Sequence, residues 1–532
     1  MKITTALSRT LAFVMPALAA TTALAGHPFR GSIPSSVVLC QYQGNVASSR
    51  SPDFFSNMIA RSGTSGLNDF LSATSYGAVN LNSTVVKGWY QVPYSAEQAQ
   101  ALTRTQRFHD CLEAARTARV DAFTPPSGHM VTVITSPDLD AFSIKGTGAF
   151  FPASVDIGAL ALEIGHELGL NHSFSDDPKY RNSDWAQIGE YDDQWDLMSY
   201  ANTLGTRTAK FGISAPTLNA YNRDRMGWIP QNRILTFGAD GAREGEITLA
   251  PLNRPEQSGY LVVRVPFDAN DPNHYYTIEY RERDGWDAGF PRDVVLIHEV
   301  RVNDKGQYIS YLLRERGGSR DPVQGLDQNG IMIAVDSVGS GQARIRITSQ
   351  TPDMCLKGYV WREASRRDRV CVTAKVREQT KNDNRLARSR RGQRGSTGPD
   401  ACLQGYVWRE AFPNDHVCVT PESRQQAELD NEQSLTRRNP ARLVHGPNTC
   451  QKGYVWREAD QTDWVCASAE VRAKVAEENR LASTRKDPST DTCLEGYVWR
   501  EAFPGDRVCV TPESRRQVEI DNADAWNRVA VQ

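Results

Sequence analysis

The sequence predicts a multidomain chain: an α/β domain first, an all-β sandwich-like module second, and four small disulfide-pinned hairpin-plus-helix units last. Three observations predict it. Up to about residue 230, runs with helical spacing alternate with short strand-like runs. Between about 231 and 350, short β-branched or aromatic runs are separated by Gly, Asp, Asn and Pro. From 351 onward a cysteine-bounded unit recurs four times. The 532 residues leave room for three or four domains of about 100–200 residues each. A net charge of −2 offers no global attraction to nucleic acid or membrane surfaces.

Residues 1–25 read as a secretory signal. Lys2 and Arg9 give a basic start, Leu11 to Ala20 an apolar run, and Ala23-Leu24-Ala25 a cleavage site. No later run reaches about 18 apolar residues, so no transmembrane anchor is expected. The ten cysteines, an even number, fit an exported, oxidised protein. Eight fall into four pairs of identical spacing; Cys40 and Cys111 are then paired by elimination, with two free buried thiols as the alternative.

Within 26–230, Val37-Val38-Leu39 reads as a strand, and Phe54–Ile59 and Leu67–Leu71 as short helices. Tyr94 to Arg119 reads as one long helical stretch with Ser95 as N-cap and Phe108, Leu112 and Ala115 on one face. His129 to Thr135 alternates as a strand, and Val155 to Leu168 has the pattern of a helix.

That helix carries the candidate chemistry. Leu162-Glu163-Ile164-Gly165-His166-Glu167-Leu168-Gly169-Leu170-Asn171-His172 matches HExxHxxGxxH at every specified position except the first. Positions 162 and 166 lie one turn apart, where two imidazoles could grip one zinc ion. Glu163 is placed to act as general base on a metal-bound water. Gly169 lets the helix end in a left-handed turn, which returns His172 to the same point. Leu162 coordinates nothing. Losing one ligand of four costs roughly 3 kcal/mol or more of metal binding.

On these residues the chain resembles the gametolysin (autolysin) branch of the metzincin zinc endopeptidases. Tyr191-Asp192-Asp193-Gln194-Trp195-Asp196-Leu197-Met198-Ser199-Tyr200 is similar to the family's Met-turn. Leu218-Asn219-Ala220-Tyr221 through Met226-Gly227-Trp228-Ile229 is similar to the segment closing the catalytic domain, and Ser75-Tyr76-Gly77 and Gly88-Trp89-Tyr90 to its opening segments. The resemblance covers roughly 37–300. It implies zinc held by His166 and His172, Glu163 as catalytic base, Met198 beneath the metal, and Tyr200 as an extra ligand or oxyanion stabiliser. It also implies an edge strand that pairs with extended substrate, at 129–135 or 146–151.

The module at 231–350 is expected to be a sandwich. Its His298 is a remote candidate for the absent ligand. The repeats begin at Cys355, Cys402, Cys450 and Cys493 and close sixteen positions later at Cys371, Cys418, Cys466 and Cys509. They occupy about 351–400, 401–448, 449–491 and 492–532. Gly405-Tyr406-Val407-Trp408-Arg409-Glu410 illustrates the first strand, His416 to Val419 the return strand, and Thr420-Pro421 the helix start. No C-x-x-C knuckle occurs, so zinc is a poor reading of these cysteines. Tyr and Trp two apart share one strand face, which either binds a ligand or covers the disulfide as a minimal core. The Arg-rich stretch Lys381 to Arg394 reads as helix end and solvated linker.

Two functions follow. One is a secreted zinc metalloendopeptidase-type protein acting on extracellular protein or peptide, its zinc weak or absent. The other is a catalytically inactive pseudo-peptidase that binds through its repeats, to a cell-wall or matrix ligand.

Overall fold

The computed structural model describes residues 29–530 apart from 45–49, 138, 145–147, 317–318, 340, 351–354, 367, 393–400, 440–443, 445, 488–489 and 504. The expected signal segment 1–25 and residues 146–147 of the second edge-strand candidate lie outside the described residues. The chain is multidomain, with mixed α/β content, several sheets and five disulfides. Contacts divide it into two units. One comprises 33–55 and 83–154; the other comprises 26–32, 56–82 and 155–532.

The first unit is a five-stranded sheet with helices. Its elements are β1 (Ser35–Gln41), β2 (Val85–Gln91), α1 (Ala96–Gln100), α2 (Arg104–Arg116), β3 (Met130–Ser136), β4 (Phe142–Ile144) and β5 (Gly148–Pro152). The sheet order is β2-β1-β3-β5-β4. All pairings are parallel except β4 on β5. The central strand β1 is buried along nearly its whole length, as its unbroken Val-Val-Leu-Cys run requires of a strand covered on both faces. Phe108, Cys111 and Ala115 of α2 pack on Val38, Cys40, Val131, Val133 and Phe150. The Cys40–Cys111 disulfide ties β1 to α2, with Cα atoms 5.9 Å apart.

The structure differs from the sequence pattern at two places in this unit. The single helix over 94–119 is two helices. Thr103 and Gln106 form a second capping box eight residues after the one formed by Ser95 and Gln98, and each box starts its own helix. Neither candidate edge strand is an edge: β3 lies between β1 and β5, and β5 between β3 and β4. The antiparallel edge is β4, whose three residues are too few to show a period.

The second unit contains the site helix α3 (Ile157–Glu167), β6 (Phe174–Ser175), a 3-10 segment Leu197–Asn202 and α4 (Ala220–Arg225). It continues with β7 (Ile234–Thr236), β8 (Glu244–Leu249), β9 (Val262–Pro266), β10 (Tyr275–Arg281), β11 (Val294–Val302), β12 (Tyr308–Leu312), β13 (Gly325–Gln328), β14 (Ile331–Gly339) and β15 (Gln342–Ser349). A six-stranded sheet, β6-β12-β11-β10-β9-β7, faces a four-stranded sheet, β8-β15-β14-β13. Their inner residues, among them Ile247, Val263, Ile278, Ile297, Ile333 and Ile345, make one core, which is a sandwich. Alternation is clean in β15, where Ala343, Ile345 and Ile347 are buried and Arg344 and Arg346 are exposed.

Strand β6 precedes residue 230 yet pairs with β12, so the sandwich is continuous with the segment around the site helix. Ion pairs on buried carboxylates seal that continuity. Arg281 donates to Asp287, Glu279, Thr217 and the Trp195 carbonyl, and Arg314 and Arg320 both hold Asp192.

Each terminal repeat is a two-stranded hairpin closed by a disulfide, followed by a helix: α5 (Ala374–Leu386), α6 (Pro421–Glu432), α7 (Ala469–Leu481) and α8 (Pro512–Asp524). The disulfides join Cys355–Cys371, Cys402–Cys418, Cys450–Cys466 and Cys493–Cys509. Thr373, Thr420, Ser468 and Thr511 cap the four helices by accepting the backbone N–H three residues on. Closing each 16-residue loop stabilises by about 3 kcal/mol on the chain-entropy view.

The repeats associate in two pairs. Arg362, Arg409, Arg457 and Arg500 are buried and each grips, bidentately, the Asp six residues later. The same guanidinium crosses to the other member of its pair. Arg362 reaches the Ala411 carbonyl while Arg409 reaches that of Ala364. Arg457 reaches the Ala502 carbonyl while Arg500 reaches that of Ala459. The helix ends swap likewise: Arg437 and Arg390 lie over Tyr359 and Tyr406, and Arg528 and Arg485 over Tyr454 and Tyr497. Arg390 therefore belongs to no solvated linker. It is half-buried, paired with Asp383 at 2.7 Å, and docked on the next repeat. The Trp faces are also engaged: Trp361 under Arg369, Trp408 on His416, Trp456 on Trp464 and Trp499 under Arg507.

Candidate functional site

Helix α3 starts at Asp156, whose carboxylate accepts the Ala159 N–H, and ends at Leu168. Gly169 follows with φ +84°, the left-handed turn its position in the motif calls for. The turn brings His172 back to His166: the ring centroids are 4.7 Å apart, nearly perpendicular. The two histidines expected at one point do meet there.

The Leu197–Asn202 segment underlies this helix. A Cβ on Gly165 would stand 2.5 Å from Met198 Sδ, and one on Gly158 would stand 2.2 Å from the Tyr200 ring. Glycines seven apart on one helix face are what let the segment approach so closely. Met198 is fully buried. Below it, Asp196 accepts from the Ser173 hydroxyl, the Met198 and Asn219 backbone N–H groups and the Asn222 side chain. Burial, with the charge of Asp193 beside it, pushes the Asp196 carboxyl up to about 6.

Tyr200 does not face the imidazoles. Its hydroxyl donates to both oxygens of Asp156, at 2.5 Å, and so is committed to the start of the site helix. Burial and that carboxylate raise its pKa, which disfavours a ligating phenolate. His298 is likewise committed elsewhere. It is buried in β11 and its Nε2 lies 3.0 Å from Asp193 Oδ2. Burial works against its charge, but the Asp193 contact outweighs that and its pKa is raised.

His166 Nδ1 donates to the Leu170 carbonyl at 3.0 Å, which leaves Nε2 with its lone pair. Burial, reinforced by the neighbouring His172, lowers its pKa to about 4, so the ring is neutral at pH 7. His172 Nδ1 donates to Glu190 Oε1 at 2.7 Å, the carboxylate–imidazole arrangement found behind many metal ligands. Its Nε2, however, accepts from the Tyr191 hydroxyl at 2.7 Å. Burial, then the charges of Glu190 and Glu163, push the Tyr191 phenol up and keep it protonated. Tyr191 thus occupies the nitrogen that zinc would need, in the form least able to bind zinc.

Glu190 and Tyr191 carry roles that motif reading missed. An acidic residue just before the Met-turn-like segment was the available signal, since a ligating histidine usually needs a carboxylate behind it. Gly189 and Tyr191, both at positive φ, shape the turn that delivers them.

No protein-family model matches the chain, and no curated protein matches it. A catalytic zinc takes three protein ligands and a water. The site offers one free imidazole nitrogen, one already hydrogen-bonded, and Leu162 at the third position. Among the described residues no group of three His, Cys, Asp or Glu side chains could hold a metal ion. As placed, these side chains present one open imidazole nitrogen where a catalytic zinc takes three protein ligands.

Proposed function

We propose that this chain is an exported pseudo-peptidase: a metzincin-like scaffold that has lost zinc chemistry and acts by binding extracellular protein or surface material. Kinship with metzincins is supported by the sheet order β2-β1-β3-β5-β4 with a lone antiparallel edge, and by the methionine packed under the glycine of the site helix. Export is supported by five disulfides, a pattern of oxidising compartments. Among the described residues no helix is long and apolar enough to cross a membrane.

One observation carries the loss of catalysis. The Tyr191 hydroxyl sits on His172 Nε2 while Leu162 stands at the first ligand position. Glu163 holds the motif position of the base, and on this reading it serves no metal-bound water.

Metal content decides the matter. The purified protein, dialysed against a zinc buffer, is expected to retain far less than one zinc per chain and to leave unfolded protein substrates uncut. Leu162→His with Tyr191→Phe is expected to bring zinc to about one per chain, because it restores three imidazoles. Stoichiometric zinc on the natural protein, with cleavage abolished by a chelator, would overturn the reading. Retention of the protein on peptidoglycan, chitin or extracellular matrix identifies the ligand class.

A further inference from the structure

The first repeat pair carries opposite charge on two equivalent helix faces. Counted from the N-caps Thr373 and Thr420, the second, eighth and twelfth residues are Lys375, Lys381 and Arg385 in α5, and Glu422, Glu428 and Glu432 in α6. All six are exposed. They lie away from the buried positions, Thr380 and Asp383 in α5 and Ala427 and Asp430 in α6. Arg388 extends the basic face, and Glu378, paired with Lys381 at 3.0 Å, is its one acid. On the acidic face Leu429 is 41% exposed among the three glutamates, where α5 has Asn382.

A charged helix face is usually only solvated. The second pair has Glu470, Ala476 and Arg480 in α7 and Glu513, Glu519 and Ala523 in α8 at the same three positions, with no such inversion. The buried Arg–Asp pair and a Thr or Ser helix cap recur in all four repeats. Inversion confined to the outer faces of α5 and α6 is therefore not a by-product of the fold.

We propose that the basic α5 face of one molecule docks on the acidic α6 face of a second copy of this chain. The reciprocal contacts of repeats 1 and 2 make the two faces equivalent within one molecule, so each copy offers one of each sign. Such an interface is head to tail and leaves a free face at each end, allowing short chains of molecules. Electrostatic complementarity sets its register and its salt dependence. The proposal does not depend on whether the histidine site binds zinc.

Charge exchange tests it, read by sedimentation velocity on the full-length secreted protein. The natural chain is expected to associate at about 20 mM salt and to weaken by about tenfold or more at about 500 mM. A variant with Lys375→Glu, Lys381→Glu and Arg385→Glu has two acidic faces and is expected to be monomeric. A variant with Glu422→Lys, Glu428→Lys and Glu432→Lys has two basic faces and is expected to be monomeric too. Mixing the two should restore association. Circular dichroism checks folding, and all six side chains are exposed. A natural protein that stays monomeric at low salt, or a mixture that fails to associate, overturns the proposal. If nothing self-associates and the acidic variant alone loses retention on an anionic polysaccharide column, the basic face serves a polyanion instead and the proposal is wrong.

Discussion

Replacing Arg409 by alanine should loosen repeats 1 and 2 together and leave repeats 3 and 4 untouched. Arg409 is 2% exposed. It donates to Asp415 at 2.7 and 3.0 Å, to Asn384 Oδ1 at 2.9 Å and to the Ala364 carbonyl at 3.3 Å. Two of these four bonds reach into repeat 1. Arg409→Ala leaves the Asp415 carboxylate buried, with the Ala411 N–H still donating to it. Removing one partner of a buried pair costs about 3–5 kcal/mol. Small domains hold about 5–15 kcal/mol in total, so this is a large fraction of what the pair can have. Hydrogen–deuterium exchange read by mass spectrometry is the assay. Peptides covering 355–392 and 402–438 should exchange at least about a hundredfold faster, to a similar extent. Those covering 450–486 and 493–528 should not change. Arg424→Ala is the control: its pair with Glu410 is nearly half exposed, and such pairs contribute about 0.2–1 kcal/mol. Loosening confined to repeat 2, or spread evenly over all four, would refute the paired architecture.

Three further outcomes are expected. Gly158→Ala places a methyl 2.2 Å from the Tyr200 ring, and overpacking of about 1–3 kcal/mol should outweigh the helix-propensity gain of about 1 kcal/mol; urea denaturation that shows stabilisation would contradict the packing under the site helix. His166 has its folded pKa lowered to about 4 from 6.5, so the unfolded chain binds that proton more readily and stability falls as pH drops through this window. The loss is at most about 3 kcal/mol, and His166→Gln should remove that part of the acid slope in a series of denaturant midpoints measured from pH 7.5 to 4. Replacing Cys40 and Cys111 together by alanine reopens a 71-residue loop and should lower the stability of the first unit by about 4 kcal/mol, seen as a lower melting temperature by calorimetry.

Much of the candidate site was legible because its signals are local. The motif spacing located α3, Gly169 announced the turn after it, and His166 and His172 came together as their separation implies. The part that was not legible depends on where side chains far apart in the sequence end up. Tyr200 has the position of a ligand in the Met-turn-like segment, but Asp156, 44 residues earlier, captures it. His172 has the motif position expected of a zinc ligand, but Tyr191, 19 residues later, holds its Nε2.

The same division runs through the fold. Cysteine spacing, the Thr and Ser caps, and the alternation of the sandwich strands belong to the sequence, since each expresses chemistry within a few residues or a repeated period. Tertiary structure alone decided that the short Phe142–Ile144 strand forms the sheet edge, that β6 joins the sandwich, and that the repeats stand in pairs. A three-residue strand carries no period, and a buried arginine does not advertise which distant carbonyl it will meet. Such partners are chosen by which groups must be satisfied once water is excluded, and that is known only when the chain has closed around them.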